Sequence, residues 1–246
     1  MRRILATLAL FTALLCAAQA QPASSFTPEQ REEIVRILRS ALKSDPSILR
    51  DAVESLQADE GRRQEAAARA AIARTGDTLT RTPGDPEAGN PNGDVTVVEF
   101  YDLRCPYCRR MLPVDAEMLS GDAKVRLVYK DIPILGAASV LGARAVLAAQ
   151  RQGGFLKLRD AIMRGAPNIT ETTLRQAAEQ TGLDWTKLQR DMAAPDIQAR
   201  LDTNIELARS LGVQGTPAYV VGHKMLPGAV DLPALREAIA EARKQD

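Results

Sequence analysis

The chain has 246 residues, 45% of them hydrophobic and 26% charged, with 32 basic residues against 31 acidic ones. That composition excludes disordered, collagen-like and disulfide-dense chains, and the even charge balance offers no electrostatic footprint for nucleic acid. A single histidine, His223, excludes any mechanism needing two, including HExxH zinc sites.

Arg2 and Arg3, the apolar run Ile4 to Leu15, and Ala18-Gln19-Ala20 predict a signal peptide, residues 1–20, cleaved after Ala20. The run is shorter than the ~20 residues that span a bilayer. Cleavage removes Cys16, so the exported chain keeps Cys105 and Cys108 as its two cysteines, in an oxidising compartment.

Residues 21–75 read as an N-terminal helical region. Thr27-Pro28-Glu29-Gln30 has the form of a capping box with proline at the first helical position. Ile34, Ile37, Leu38, Ala41 and Leu42 make one apolar stripe; Ile48, Leu49, Ala52, Val53 and Leu56 make a second after Asp45-Pro46. From Arg62 to Arg74 the chain is alanine-rich and charged, helical by propensity with little to bury. Short amphipathic helices are marginal alone. The stripes are expected either to pair with further copies of the chain or to pack on its remainder. Residues 76–94, with four glycines and three prolines, read as a linker or irregular lead-in.

From Val95 the character changes. VTVVEFYD (95–102) and VRLVYKDIPI (125–134) have the β-branched, apolar character of buried strands. Cys105 to Leu119 between them has helical spacing, with Pro113 as an expected kink. The unit is βαβ, and its right-handed crossover makes the two strands parallel neighbours. Residues 137–211 are helical in pattern, 218–222 and 224–226 return to strand, and Leu232 to Arg243 closes with a helix.

Cys105-Pro106-Tyr107-Cys108 lies directly after a strand and opens a helix. Unpaired N–H groups and the macrodipole at that helix end favour an anion on Cys105 and lower its pKa. Cys108, one turn on, can resolve a mixed disulfide. Arg104, Arg109 and Arg110 either support the thiolate or are solvated surface charges. A structural disulfide across two residues closes little chain, and zinc would need two further Cys or His ligands where only His223 remains. A Cu(I) site using two thiolates stays open. Glu99, the one charge inside its strand and six residues before Cys105, reads as a buried carboxylate able to accept the Cys108 proton.

VEFYDLRCPYC, the later Gly215-Thr216-Pro217 and the long helical stretch resemble the DsbA-like branch of the thioredoxin superfamily, over residues 95–246. The resemblance implies an α/β chain: a thioredoxin fold with a helical domain inserted at 137–211, preceded by the N-terminal helical segment. It implies that Pro217 is a cis-proline beside the CxxC. Pro106, Tyr107, Gly215, Thr216 and Pro217 would then hold substrate backbone as an added strand. An acidic residue at the Glu99 offset also belongs to the family, with Lys130 as its expected partner. Tyr107 stands where strongly oxidising members carry histidine, so Cys105 is expected to be less acidic than theirs. The helices ahead of the domain resemble the oligomerisation region of the suppressor-of-copper-sensitivity (ScsC-like) branch, which implies a homo-oligomer through residues 26–75.

The function expected is that of a periplasmic thiol–disulfide oxidoreductase, oxidase or isomerase. Cys105, Cys108 and Glu99 would be its catalytic residues, exported cysteine-containing proteins its clients, and a separate redox partner would reset the pair. No metal or dissociable cofactor is required. The alternative is a copper-tolerance protein holding Cu(I) on the two thiolates.

Overall fold

The computed structural model describes residues 26–165 and 168–244. The expected signal peptide, residues 1–20, lies outside them. Two compact units divide at Asp59 and Glu60. Helix α1 (Pro28–Ser44) starts at a capping box in which Thr27 and Gln30 satisfy each other's backbone donors. Helix α2 (Ser47–Thr75) is continuous. The second apolar stripe and the alanine-rich stretch therefore share one helix of 29 residues, as the absence of any proline or cap between them allows.

The second unit continues through α3 (Asp77–Thr80), β1 (Glu87–Gly89), β2 (Val95–Tyr101), α4 (Pro106–Gly121) and β3 (Val125–Asp131). Five helices follow: α5 (Ala137–Gln150), α6 (Phe155–Arg164), α7 (Glu171–Gln180), α8 (Trp185–Met192) and α9 (Pro195–Ser210). The chain then returns through β4 (Ala218–Val221) and β5 (Lys224–Pro227) to α10 (Leu232–Ala242). The sheet order is β1-β3-β2-β4-β5, with β2 and β3 parallel and the other pairs antiparallel. This is a thioredoxin-like fold with helices α5–α9 between its β3 and β4 halves.

Strand alternation divides the core into two layers. Val97, Tyr101, Leu127, Tyr129, Tyr219 and Val221 face one layer, shared with α4, α5, α6 and α10. Val98, Phe100, Val128, Ala218 and Val220 face the other, closed by Ala71 and Ile72 of α2, Leu79 of α3, and Leu207 and Ala208 of α9. Residues 76–94 carry more structure than their glycines and prolines suggest. Strand β1 pairs with β3, and Gly89, at φ +77°, sits where a Cβ would meet the Val125 carbonyl oxygen at 2.5 Å.

Lys130 explains how that segment is held. Phe100 is its register partner on β2, so it points to the second layer, away from Glu99, which pairs with Tyr129. The partnership of Lys130 with Glu99 expected from sequence is thus incorrect: neighbours on β3 face opposite ways. Lys130 Nζ instead meets the buried Asp85 carboxylate and donates to the Thr78 carbonyl at 3.1 Å, while Arg200 donates to the other Asp85 oxygen at 2.7 Å. Removing Lys130 would leave the buried Asp85 carboxylate to the partly exposed Arg200 alone. Lys130→Met should lower unfolding free energy in urea by about 3 kcal/mol, and adding Asp85→Leu should recover most of that loss. An unchanged midpoint in the single variant would contradict this account.

Candidate active site

The site begins at the corner between β2 and α4. Asp102 is buried, and its carboxylate accepts from the Arg104 backbone N–H (2.8 Å), the Leu135 N–H (3.0 Å) and the Ser139 hydroxyl (2.8 Å). Three donors from two segments lock the turn that delivers Cys105 to the N-cap of α4, where Pro106 takes the first helical position. Across from it, the Thr216–Pro217 peptide is cis. As a thiol, Cys105 donates to the Thr216 carbonyl oxygen at 3.1 Å. Gly215 and Tyr107 are exposed at the rim beside Pro106, whereas Pro217 is buried.

The two sulfurs are free thiols with opposite acidities. Cys105 is drawn down from 9.0 to about 5, chiefly by the hydrogen bond from the Cys108 thiol, against burial; the Thr216 side chain and the N–H groups of Cys108 and Tyr107 add to it. Cys108, fully buried, is pushed far up by burial, by its bond to Cys105 and by the Glu99 charge. The three arginines are occupied elsewhere: Arg104 donates to the Leu135 carbonyl (2.6 Å), Arg109 to the Gly165 carbonyl (2.9 Å), and Arg110 lies over the Tyr107 ring.

Glu99 is 0% exposed. Its counter-charge is Arg159 of α6, which donates from Nη2 to Oε2 at 2.8 Å and lies over the rings of Tyr101 and Tyr129. Burial raises the Glu99 carboxyl, and Arg159 opposes that rise. Asp115 of α4 joins the cluster, accepting from the Tyr219 hydroxyl at 2.9 Å. Sequence reading missed Arg159 and Asp115, yet each had a visible signal. Arg159 interrupts the stripe Phe155, Leu158, Ile162, Met163, and Asp115 interrupts Cys108, Met111, Leu112, Met118. A charge on the buried stripe of a helix implies a buried partner.

The Cys105 shift has a pH signature. A pKa lowered on folding contributes stability above the unfolded value, which is lost as pH falls through the folded one. The disulfide form lacks this thiol. The stability of the reduced protein relative to the oxidised one should therefore fall continuously as pH drops from 9 toward about 5. Iodoacetamide labelling of Cys105 should show a midpoint near pH 5, moving upward in Cys108→Ala; an unmoved midpoint would remove Cys108 as the main cause.

The model of the DSBA-like thioredoxin domain matches residues 96–240. Among solved structures, the chain is similar to a thioredoxin-like oxidoreductase from Silicibacter pomeroyi, with 44% identity, TM-score 0.67, and 69% of this chain and 98% of that one covered. It is also similar to ScsC of Proteus mirabilis in a transitional conformation, with 29% identity, TM-score 0.66, and 90% and 99% covered. A probable disulfide bond formation protein D from Bacillus anthracis is 30% identical over 171 residues, 64% of this chain and 77% of that protein. A Na(+)/H(+) antiporter NhaA 3 from Salinispora tropica matches at 28% over 65% of this chain, which spans only 26% of the antiporter's length. With the family match lying across the CxxC corner, the buried glutamate and the cis-proline loop, the chain belongs to the DSBA-like thioredoxin domain family.

Proposed function

We propose that this protein is an exported, periplasmic thiol–disulfide oxidoreductase that forms or isomerises disulfides in cysteine-containing clients. The observation that carries the reading is the split between the two sulfurs, an acidic Cys105 at the N-cap of α4, just inside the exposed Pro106 and Tyr107, and a fully buried Cys108 one turn on. A thiolate with a buried thiol one helical turn away is the arrangement that thiol–disulfide exchange needs. The Cys105 thiolate attacks a client disulfide and expels one client thiolate, giving a mixed disulfide. Cys108 then passes its proton to Glu99 and attacks the Cys105 sulfur. The Cys105–Cys108 disulfide forms, the second client thiolate leaves, and two electrons have passed to the client. Run in reverse, the same steps oxidise a client dithiol. A separate redox partner resets the pair, and the chemistry requires no cofactor beyond the two sulfurs. Pro106, Tyr107, Gly215, Thr216 and Pro217 bound the strip on which the client backbone lies.

Scrambled ribonuclease mixed with the reduced protein tests this reading. Refolding should be catalysed and should vanish in Cys105→Ser. Stoichiometric Cu(I) binding without any thiol exchange would instead favour the two-thiolate copper site.

The reading extends to a homo-oligomer through residues 26–75. Helix α1 buries none of its own side chains, and Ile37, Leu38, Leu49 and Leu56 are exposed, Leu56 to 70%. So many exposed large apolar side chains on two neighbouring helices are unusual on a monomer's surface. Light scattering should report an oligomer for the mature chain and a monomer for Leu38→Glu combined with Leu49→Glu. A monomeric unaltered chain would refute the assembly.

A further inference from the structure

The buried polar cluster below Cys108 contains more acid than its base can balance. Toward Glu99 face Tyr101 from β2, Tyr129 and Asp131 from β3, Cys108 and Asp115 from α4, Arg159 from α6 and Tyr219 from β4. Among the described residues, Arg159 is the one cation in this group, set against the carboxyls of Glu99, Asp115 and Asp131. Asp160, which also meets Arg159 at 3.5 Å, is partly solvated at the edge of the cluster. Lys130 points to the other side of the sheet and is taken by Asp85.

Two ionised carboxylates this close in a dry core repel, and one cation cannot stabilise all three. Arg159 Nη2 settles on Glu99 Oε2 at 2.8 Å and stands 4.0 Å from Asp115 Oδ2. The remaining oxygens are telling. Glu99 Oε1 and Asp115 Oδ2 are both buried acceptors that no N–H or O–H of the protein satisfies when both acids are ionised. Buried acceptors are rarely left unpaired, and a proton on either carboxyl turns it into a donor to the other. Tyr219 already holds Asp115 from its far side at 2.9 Å.

We propose that Glu99 and Asp115 form a proton-sharing pair serving Cys108, with Arg159 of the helical insertion supplying the charge that keeps one member of the pair ionised. Before resolution the pair holds one proton, and Arg159 balances its single negative charge. When the mixed disulfide is resolved, the S–H bond of Cys108 breaks and its proton moves to the ionised carboxylate. The Cys108 thiolate attacks the Cys105 sulfur, the bond from Cys105 to the outgoing thiol breaks, and that thiol leaves as a thiolate. Reopening of the Cys105–Cys108 disulfide returns the proton. Asp115 and Arg159 are positioning residues here, because they act through Glu99. Burial and the Glu99 charge, opposed by the Arg159 charge, place Asp115 well above the usual carboxylate range, which agrees with its holding the resting proton.

The inference rests on the thiol–disulfide reading, and the test separates the two. Reduced full-length protein is mixed with oxidised glutathione, quenched with acid and weighed by mass spectrometry across a pH series. Formation of the Cys105–glutathione adduct reports the first step, and its conversion to the internal disulfide reports the second. In Asp115→Asn the second step should slow about tenfold at neutral pH, within the range of general acid–base effects. The pH profile of that step should shift, while adduct formation stays within about twofold of the unaltered protein. Tyr219→Phe removes only the 2.9 Å bond to Asp115 and should shift the same profile to a smaller extent, carrying the test if the asparagine variant does not fold. An unshifted second-step profile in the folded variants, or an equal fall in both steps, overturns the pair. Absence of any Cys105 adduct in the unaltered protein overturns the thiol–disulfide reading itself.

Discussion

Arg159 is the constraint around which the front of the sheet is arranged. A guanidinium 2% exposed cannot remain in a core without a counter-charge and further partners. Those demands bring Glu99 to its nitrogen and the faces of Tyr101 and Tyr129 over its carbon, at 4.7 and 4.3 Å. They also tie α6, an element of the insertion, to β2 and β3 of the sheet, directly below the reactive helix. Replacing a buried ion pair with well-packed apolar groups is often neutral or stabilising. Stability alone is therefore a weak account of this pair, and the proposed role under Cys108 supplies another.

The same physics serves the back of the sheet with the opposite balance. There one carboxylate, Asp85, faces two cations, Lys130 and Arg200, and backbone carbonyls take further donors. Both Asp85 oxygens are bonded, the surplus positive charge rests on carbonyl oxygens and on the partly exposed Arg200, and the result is an anchor for residues 76–86. On the front, one cation faces three carboxyls, and the shortfall has to be met by protons. A surplus of cations is absorbed by carbonyl oxygens and holds structure, whereas a surplus of acid needs protons, which in the proposed pair move as the chemistry above proceeds. The two lie a single residue apart along β3, at Tyr129 and Lys130, separated only by strand alternation.

That alternation also marks how far the sequence could be read. The βαβ unit, the strand–CxxC–helix corner and the helical block were legible because each rests on local periodicity or a short motif. Glu99 was legible because a lone charge in an apolar strand is conspicuous. Its partner was not, since choosing Lys130 needed the β2–β3 register and the register assigns that residue to the other layer. Strand β1 left no trace: three residues ending in glycine carry no period-2 signal and become a strand only through pairing with β3. Arg159 and Asp115 occupied core positions of amphipathic helices, yet nothing local could show that helices some 40 residues apart would aim both at one carboxylate.

The acidity of Cys105 follows from the same arrangement. No imidazolium stands between the cysteines, and the sulfur is drawn down to about 5 chiefly because the Cys108 thiol donates to it. This hydrogen bond has two ends. It stabilises the Cys105 anion, and for the same reason it holds the proton on Cys108 while that anion persists. Once Cys105 enters a mixed disulfide its charge is gone, and the Cys108 thiol loses the acceptor that retained its proton. Burial and the negative charge of Glu99 still oppose a bare thiolate there, which is why the proposed exchange passes the proton to a base within the core. In the proposed exchange, the bond that activates the first sulfur thus delays the second until the first has reacted, and the carboxylate beneath then takes the proton.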